Sequence, residues 1–278
     1  IEKDRSGFVQ AHRRALEFRD AHPYPDPFLH NQSRLFHLLL VDPEAALDHL
    51  MHTFRIYNAE RRLAAADRLL VTAEEVQPYL VLLNSPILSD LENMLVHLHA
   101  RLDQLRGHWS KSLAALKTLR SNPDLSPTLA PYVARGYGYA LARSGMQVEA
   151  IEQYRYALTI FTKRSNSGYE QALTMIHIGD AYRSLAIAAR GHREVIHPLT
   201  SSLKQFASDL FSVVTWLPLV IYLSFFFGWR LWLPQSWPML RGLDWIIGRL
   251  FASGSRWYRR AAPLLAKTAA SADKRQAE

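Results

Sequence analysis

Residues 135–162 read RGYGYALARSGMQVEAIEQYRYALTIFT, and the spacing within this stretch decides the fold of the chain. Small residues stand at Gly138, Gly145, Ala150 and Ala157, with bulky ones at Tyr137, Leu141 and Tyr154. Gly145 falls between the two runs, where a tight turn needs a residue that adopts positive φ without a Cβ clash. The stretch reads as helix–turn–helix.

Working outward, helix punctuation recurs. Asp26-Pro27, Asp42-Pro43-Glu44 and Ser126-Pro127 each offer a side-chain acceptor followed by proline, the pairing expected at a helix start. Ser89-Asp90-Leu91-Glu92 has the spacing of a capping box. Leu91, Leu95, Leu98, Leu102 and Leu105 return at three- and four-residue steps and define one helical face. No sustained alternation of apolar and polar residues marks a strand. The fold class expected is all-α.

The helix–turn–helix also repeats. Ala100, Gly107, Ser112 and Leu116 occupy corresponding places 38 positions earlier, and Gly179 and Tyr182 follow about 41 positions later. Residues 58–71 (NAERRLAAADRLLV) have the small-residue look of a degenerate repeat helix. Taken together the pattern resembles the tetratricopeptide repeat, in the longer-period form found C-terminal to the core of signal-transduction ATPases with repeats. The resemblance extends over residues 30–195 and is most specific at 134–161. It implies a stacked helical array whose groove accepts a peptide or helix of another protein. The residues it places on that groove are Arg135, Tyr139, Arg143, Thr174, His177 and Arg183.

The 278-residue chain contains no cysteine, which excludes disulfide frameworks, thiolate metal sites and cysteine nucleophiles. Its formal charge of +8 calls for an acidic partner. That charge is unevenly placed: residues 230–278 hold nine Lys/Arg against three Asp/Glu, and six of the seven tryptophans lie in the C-terminal quarter. Just before them, residues 210–229 (LFSVVTWLPLVIYLSFFFGW) carry no charge. At ~1.5 Å per residue such a run spans about 30 Å, the thickness of a bilayer core. Trp216, Phe225, Phe226, Phe227, Trp229, Trp232 and Trp237 read as membrane-facing residues, and Pro218 leaves open a single span or a re-entrant hairpin. Lys and Arg flank both ends alike, so orientation is undetermined.

Beyond Pro238 an apolar stripe of Leu240, Leu243, Ile247, Leu250 and Phe251 shares a helix with Arg241, Asp244, Arg249 and Arg256. With Trp245 and Trp257 near its boundaries, this is the pattern of a basic helix lying in a membrane interface. The expected organisation is an N-terminal helix and Pro-rich linker at 1–25 and a tetratricopeptide-like domain at 26–195. A hydrophobic membrane segment at 196–237, an interfacial helix at 238–260 and a basic flexible tail at 261–278 follow. The chain opens on Ile1 rather than Met and reads as a piece of a longer protein.

No Gly-rich phosphate loop, G-x-S-x-G or H-E-x-x-H occurs. Twelve histidines are present, but His97/His99 and His49/His52 come without a third ligand nearby, so no metal site, cofactor or catalytic residue is expected. The basic residues coincide with tryptophans and the apolar run, which favours anionic lipid over nucleic acid as partner. The reading is a non-catalytic scaffold at the cell membrane that binds a protein through its array, with the array on the cytoplasmic side and oligomeric state open. The alternative is the sensor or effector part of a larger signalling ATPase, whose C-terminal segment inserts into or permeabilises the membrane.

Overall fold

A computed structural model describes residues 4–164, 167–211 and 238–277, and gives backbone alone at 191–211, 238–244 and 268–277. The protein is all-α, and no strand occurs among the described residues. In chain order the helices are α1 (Arg5–Ala21), α2 (Pro27–Val41), α3 (Pro43–Ala59), α4 (Leu63–Leu82), α5 (Leu88–Leu105) and α6 (Trp109–Arg120). Then come α7 (Ala130–Arg143), α8 (Gln147–Phe161), α9 (Gly168–Phe211) and α10 (Pro238–Ala277). They form two compact units, residues 1–146 and 147–278.

In the first unit each helix packs on the next, and α3, α5 and α7 also meet in succession. This arrangement is compatible with a helical repeat array. Leu35, Leu39, Leu50, Leu69, Leu70, Leu80, Leu91, Leu98, Leu102 and Leu116 are fully buried in its core. On α5 the expected stripe holds for Leu91, Leu95, Leu98 and Leu102, while Leu105 is 40% exposed at the helix end.

The caps follow local chemistry. Asp26 Oδ1 accepts from the Phe28 amide (2.8 Å) and Asp42 Oδ1 from the Ala45 amide (3.1 Å), with proline at the first turn of each helix. Two expected starts differ. The α5 cap is Ile87, and Ser89 lies inside the first turn, because Ile87 and Leu88 pack against the core and start the helix ahead of the polar residue. At Ser126-Pro127 the chain makes only a turn, with Ser126 O accepting from Leu129 and Ala130 at 3.0 Å. A helix begun at Pro127 would carry Pro131 at its fifth position, where the ring clashes with a carbonyl and donates nothing. It therefore begins at Ala130, with Pro131 in the first turn.

Left-handed residues close four helices: Arg61, Asn84, Gly107 and Gly145, with φ of 56°, 45°, 83° and 84°. Each turn has the same pair of bonds. The longer ones run Arg62 N to Tyr57 O (2.8 Å), Ser85 N to Leu80 O (3.0 Å), His108 N to Asp103 O (2.8 Å) and Met146 N to Leu141 O (3.0 Å). This is the Schellman cap, which satisfies helix-end carbonyls. Gly107 and Gly145 confirm the turns expected there. Residues 58–71, expected as one helix, are instead broken at Arg61, because the core of α3 ends at Tyr57 and α4 must turn back to bury Ala66, Leu69 and Leu70.

In the second unit α9 packs on both α8 and α10. Helices α9 and α10 run antiparallel and touch at glycine: a Cβ at Gly254 would lie 3.1 Å from Gly179 O, and one at Gly179 would lie 3.0 Å from the Tyr258 ring. Tyr258 Oη donates to Asp180 Oδ1 at 2.6 Å. Burial first, then the Asp180 hydrogen bond and charge, push the phenol up to about 12. Buried Ile247, Gly254 and Ala261 recur every seventh residue and mark the side of α10 that packs on α9, while Phe251 of the expected stripe is exposed at 36%. The helix also continues past Arg260 to Ala277, through the segment expected as a flexible tail.

These geometries set opposite outcomes for like substitutions. A non-glycine residue in the left-handed region is strained by about 1 kcal/mol, so Arg61→Gly raises stability by roughly that amount and Gly107→Ala lowers it similarly, read from denaturant unfolding. On α10, Gly248 has open space around its Cβ direction, and Gly248→Ala raises stability by about 0.5–1 kcal/mol. Gly254→Ala, six residues on, forces α9 and α10 apart and lowers it by about 1–2 kcal/mol in the same measurement.

Candidate protein-binding face

The three left-handed turns that follow α3, α5 and α7 put their helices in a common register. Counting back six residues from Arg61, Gly107 and Gly145 reaches Arg55, Arg101 and Tyr139; counting back ten reaches Met51, His97 and Arg135. Because α3, α5 and α7 are successive neighbours, these equivalent positions come together on one face.

The face is a ladder of guanidinium–aromatic stacks. Arg55 lies over the Tyr132 ring at 4.9 Å and Arg135 lies over the same ring at 5.7 Å. About two helical turns further along α7, Tyr139 carries Arg101 at 5.5 Å and Arg143 at 6.0 Å. Arg143 also sits 5.1 Å over Trp109, whose ring meets Tyr139 edge-on with centroids 5.7 Å apart. Each such contact contributes ~0.5–1 kcal/mol at exposed sites and more when desolvated. Arg101 also donates to Gln104 Oε1, and Gln104 Nε2 donates to Gly136 O at 3.0 Å, pinning α5 to α7.

His97 lies beneath the ladder. It is 4% exposed, its Nδ1 has no hydrogen-bond partner among the described residues, and a Cβ at Gly136 would touch its ring at 3.4 Å. Burial, then the charges of Arg101, Arg135 and Arg55, drive its pKa down to about 3. Burial alone disfavours the charged imidazole, and the three guanidiniums act in the same direction, so His97 is held neutral. Beside the ladder opens a cleft of about 580 Å³, lined by Asp48, His52, Arg55, Asp90, Met94 and Tyr132 among others.

Of the residues expected on a groove, Arg135, Tyr139 and Arg143 stand together on this face. Arg55, Arg101, Tyr132, Trp109 and His97 belong with them and were not singled out; subtracting the 38-residue spacing from Arg135 and Tyr139 would have reached His97 and Arg101. The other three lie in the second unit. Thr174 is fully buried and donates to Glu170 O at 2.7 Å, so it is not a groove residue: its hydroxyl is satisfied within its own helix. His177 stacks on Tyr154 at 5.4 Å, and Arg183 is exposed near Tyr258.

Among the expected membrane residues, Trp245, Arg249 and Trp257 are on α10, and the rest, Trp216 to Trp237, lie outside the described residues. No helix of the described residues is long and apolar enough to cross a membrane. Among those residues no group of three His, Asp or Glu could hold a metal ion. Comparison with protein-family models, curated proteins and solved structures gave no match.

The burial of His97 sets a pH dependence. Its folded pKa lies below the unfolded value of 6.5, so the unfolded chain takes the proton first. Stability is therefore intact above pH 6.5 and falls on acidification, by up to ~1.4 kcal/mol per pH unit from this group until pH nears 3. His12 and His37, whose Nδ1 atoms are 2.9 Å apart between α1 and α2, are both lowered chiefly by burial and add to the loss. Urea unfolding from pH 7 to pH 4 checks this: His97→Gln flattens the slope while leaving the His12 and His37 contribution.

Proposed function

We propose that this chain is a non-catalytic scaffold of the tetratricopeptide-like kind, which takes an acidic segment of a partner protein on the arginine–aromatic face of α3, α5 and α7. The gathering of Arg55, Arg101, Arg135 and Arg143 against Tyr132, Tyr139 and Trp109 is the observation that carries the reading. Guanidiniums held by aromatic stacking keep their planar donors in fixed directions, which suits bidentate capture of carboxylates. The adjoining cleft is lined by Leu47, Met51, Met94 and Leu129 together with Glu44, Asp48 and Asp90, so it suits apolar side chains of the partner while its acids stay on the arginines.

The uncharged run at residues 210–229 supports a bilayer as the second partner, with the array held at the cell membrane. Under this reading the protein has no cofactor and does no chemistry; it brings a captured protein to a surface. A sensor or effector role within a larger signalling ATPase uses the same two surfaces.

A labelled acidic peptide, a 12-residue alternation of Glu and Leu, tests the array by fluorescence anisotropy with the full chain. It binds, its Lys-for-Glu counterpart does not, and Arg101→Gln with Arg135→Gln weakens binding at least tenfold, the equivalent of ~1.4 kcal/mol. Equal binding of both peptides, or no effect of the paired substitution, contradicts the proposal.

A further inference from the structure

The face of α10 opposite α9 has its own composition. Trp245, Arg249, Arg256 and Arg260 fall at helical spacing on one side, with Arg259 adjoining, and extend over about 22 Å of helix. Trp245 is 61% exposed and the four arginines are exposed as well. Arg249 stacks over the Trp245 ring at 4.7 Å, and Arg260 stacks over half-buried Trp257 at 5.4 Å. Arg256 donates to Ser253 Oγ at 3.2 Å, and among the described residues none of the four forms an ion pair. Ile246 borders this face at 45% exposure.

We propose that this outward face of α10 is a docking surface for an anionic bilayer, made by arginines and tryptophan on a helix whose opposite side, at Ile247, Gly254 and Ala261, is buried. The inference rests on the membrane reading above and changes which residues meet lipid: the cationic, aromatic side, not the leucine and isoleucine side. A row of cations matches a plane of phosphate and carboxylate headgroups, and tryptophan is the side chain that settles at the level of those headgroups. Chain continuity favours the bilayer over other polyanions, because α10 begins nine residues after the uncharged run ends at Trp229. The face is already exposed on the side away from α9, so docking needs no rearrangement of the helix pair.

The absence of cysteine allows a single reporter. Ala252→Cys, exposed on the same face, is labelled with an environment-sensitive fluorophore in the full chain, and Glu92→Cys, exposed on α5, serves as the control. Flotation with phosphatidylcholine vesicles, with and without 30% phosphatidylserine (roughly the anionic share of a cytoplasmic leaflet), measures binding separately. With anionic vesicles the label at 252 shifts to the blue and brightens while that at 92 does not. Arg249→Gln with Arg256→Gln weakens vesicle binding about thirtyfold.

A chain that floats while the label at 252 stays in water overturns this inference and leaves the membrane reading standing. A chain that does not float overturns both. A response at 252 to a single-stranded oligonucleotide or to raised protein concentration, without one to vesicles, assigns the face to nucleic acid or to a second copy and overturns the proposal.

Discussion

The left-handed residue at the end of a helix is the constraint on which the first unit depends. A helix that ends in a Schellman cap has its last turn fixed by two backbone hydrogen bonds, so the rotation of every residue before it is fixed as well. Arg61, Gly107 and Gly145 impose this on α3, α5 and α7, and the positions six and ten residues earlier fall into line across three neighbouring helices. The arginine–aromatic ladder is a consequence of that register. Arg61 shows how strongly the register is held, since arginine occupies a conformation that glycine would take without strain.

Gathering Arg55, Arg101, Arg135 and Arg143 on one face costs repulsion. Tyr132, Tyr139 and Trp109 offset part of it by placing ring faces against the guanidiniums. His97 adds nothing to that repulsion because it is neutral beneath them, where a protonated imidazole would be one more buried charge. A face organised in this way is stabilised further by any carboxylate that docks on it. Structure and proposed function thus share one electrostatic origin. The second unit follows a different rule: Gly179 and Gly254 bring α9 and α10 into close contact, which buries Ile247, Gly254 and Ala261 and leaves Trp245 and the arginines at 249, 256, 259 and 260 exposed.

Much of the fold could be read from the residues because its signals are local. Asp26 and Asp42 cap helices as their side chains suggest, and Gly107 and Gly145 turn where the repeat spacing places them. Arg61 hid the first turn, because arginine carries no sign of a left-handed conformation, and with that turn unseen Arg55 could not be aligned with Arg101. Ser126 misled because Pro131, five residues on, decides where the helix can start. Thr174 misled because a polar residue type does not report burial when its hydroxyl bonds back into its own helix. The α10 stripe was legible as amphipathic, but amphipathicity does not say whether the apolar side meets lipid or another helix. The 38-residue spacing held enough information to reach His97 and Arg101 from Arg135 and Tyr139.

The most direct test of this account is a double-mutant cycle between α5 and α7, with Arg101→Gln, Tyr139→Leu and the pair compared by denaturant unfolding. The register set by the Gly107 and Gly145 turns stacks these two side chains, and a coupling energy of about 0.5–1 kcal/mol is the predicted result. A coupling of zero, with both single substitutions destabilising independently, would mean that the two helices do not share this face, and would contradict the central claim.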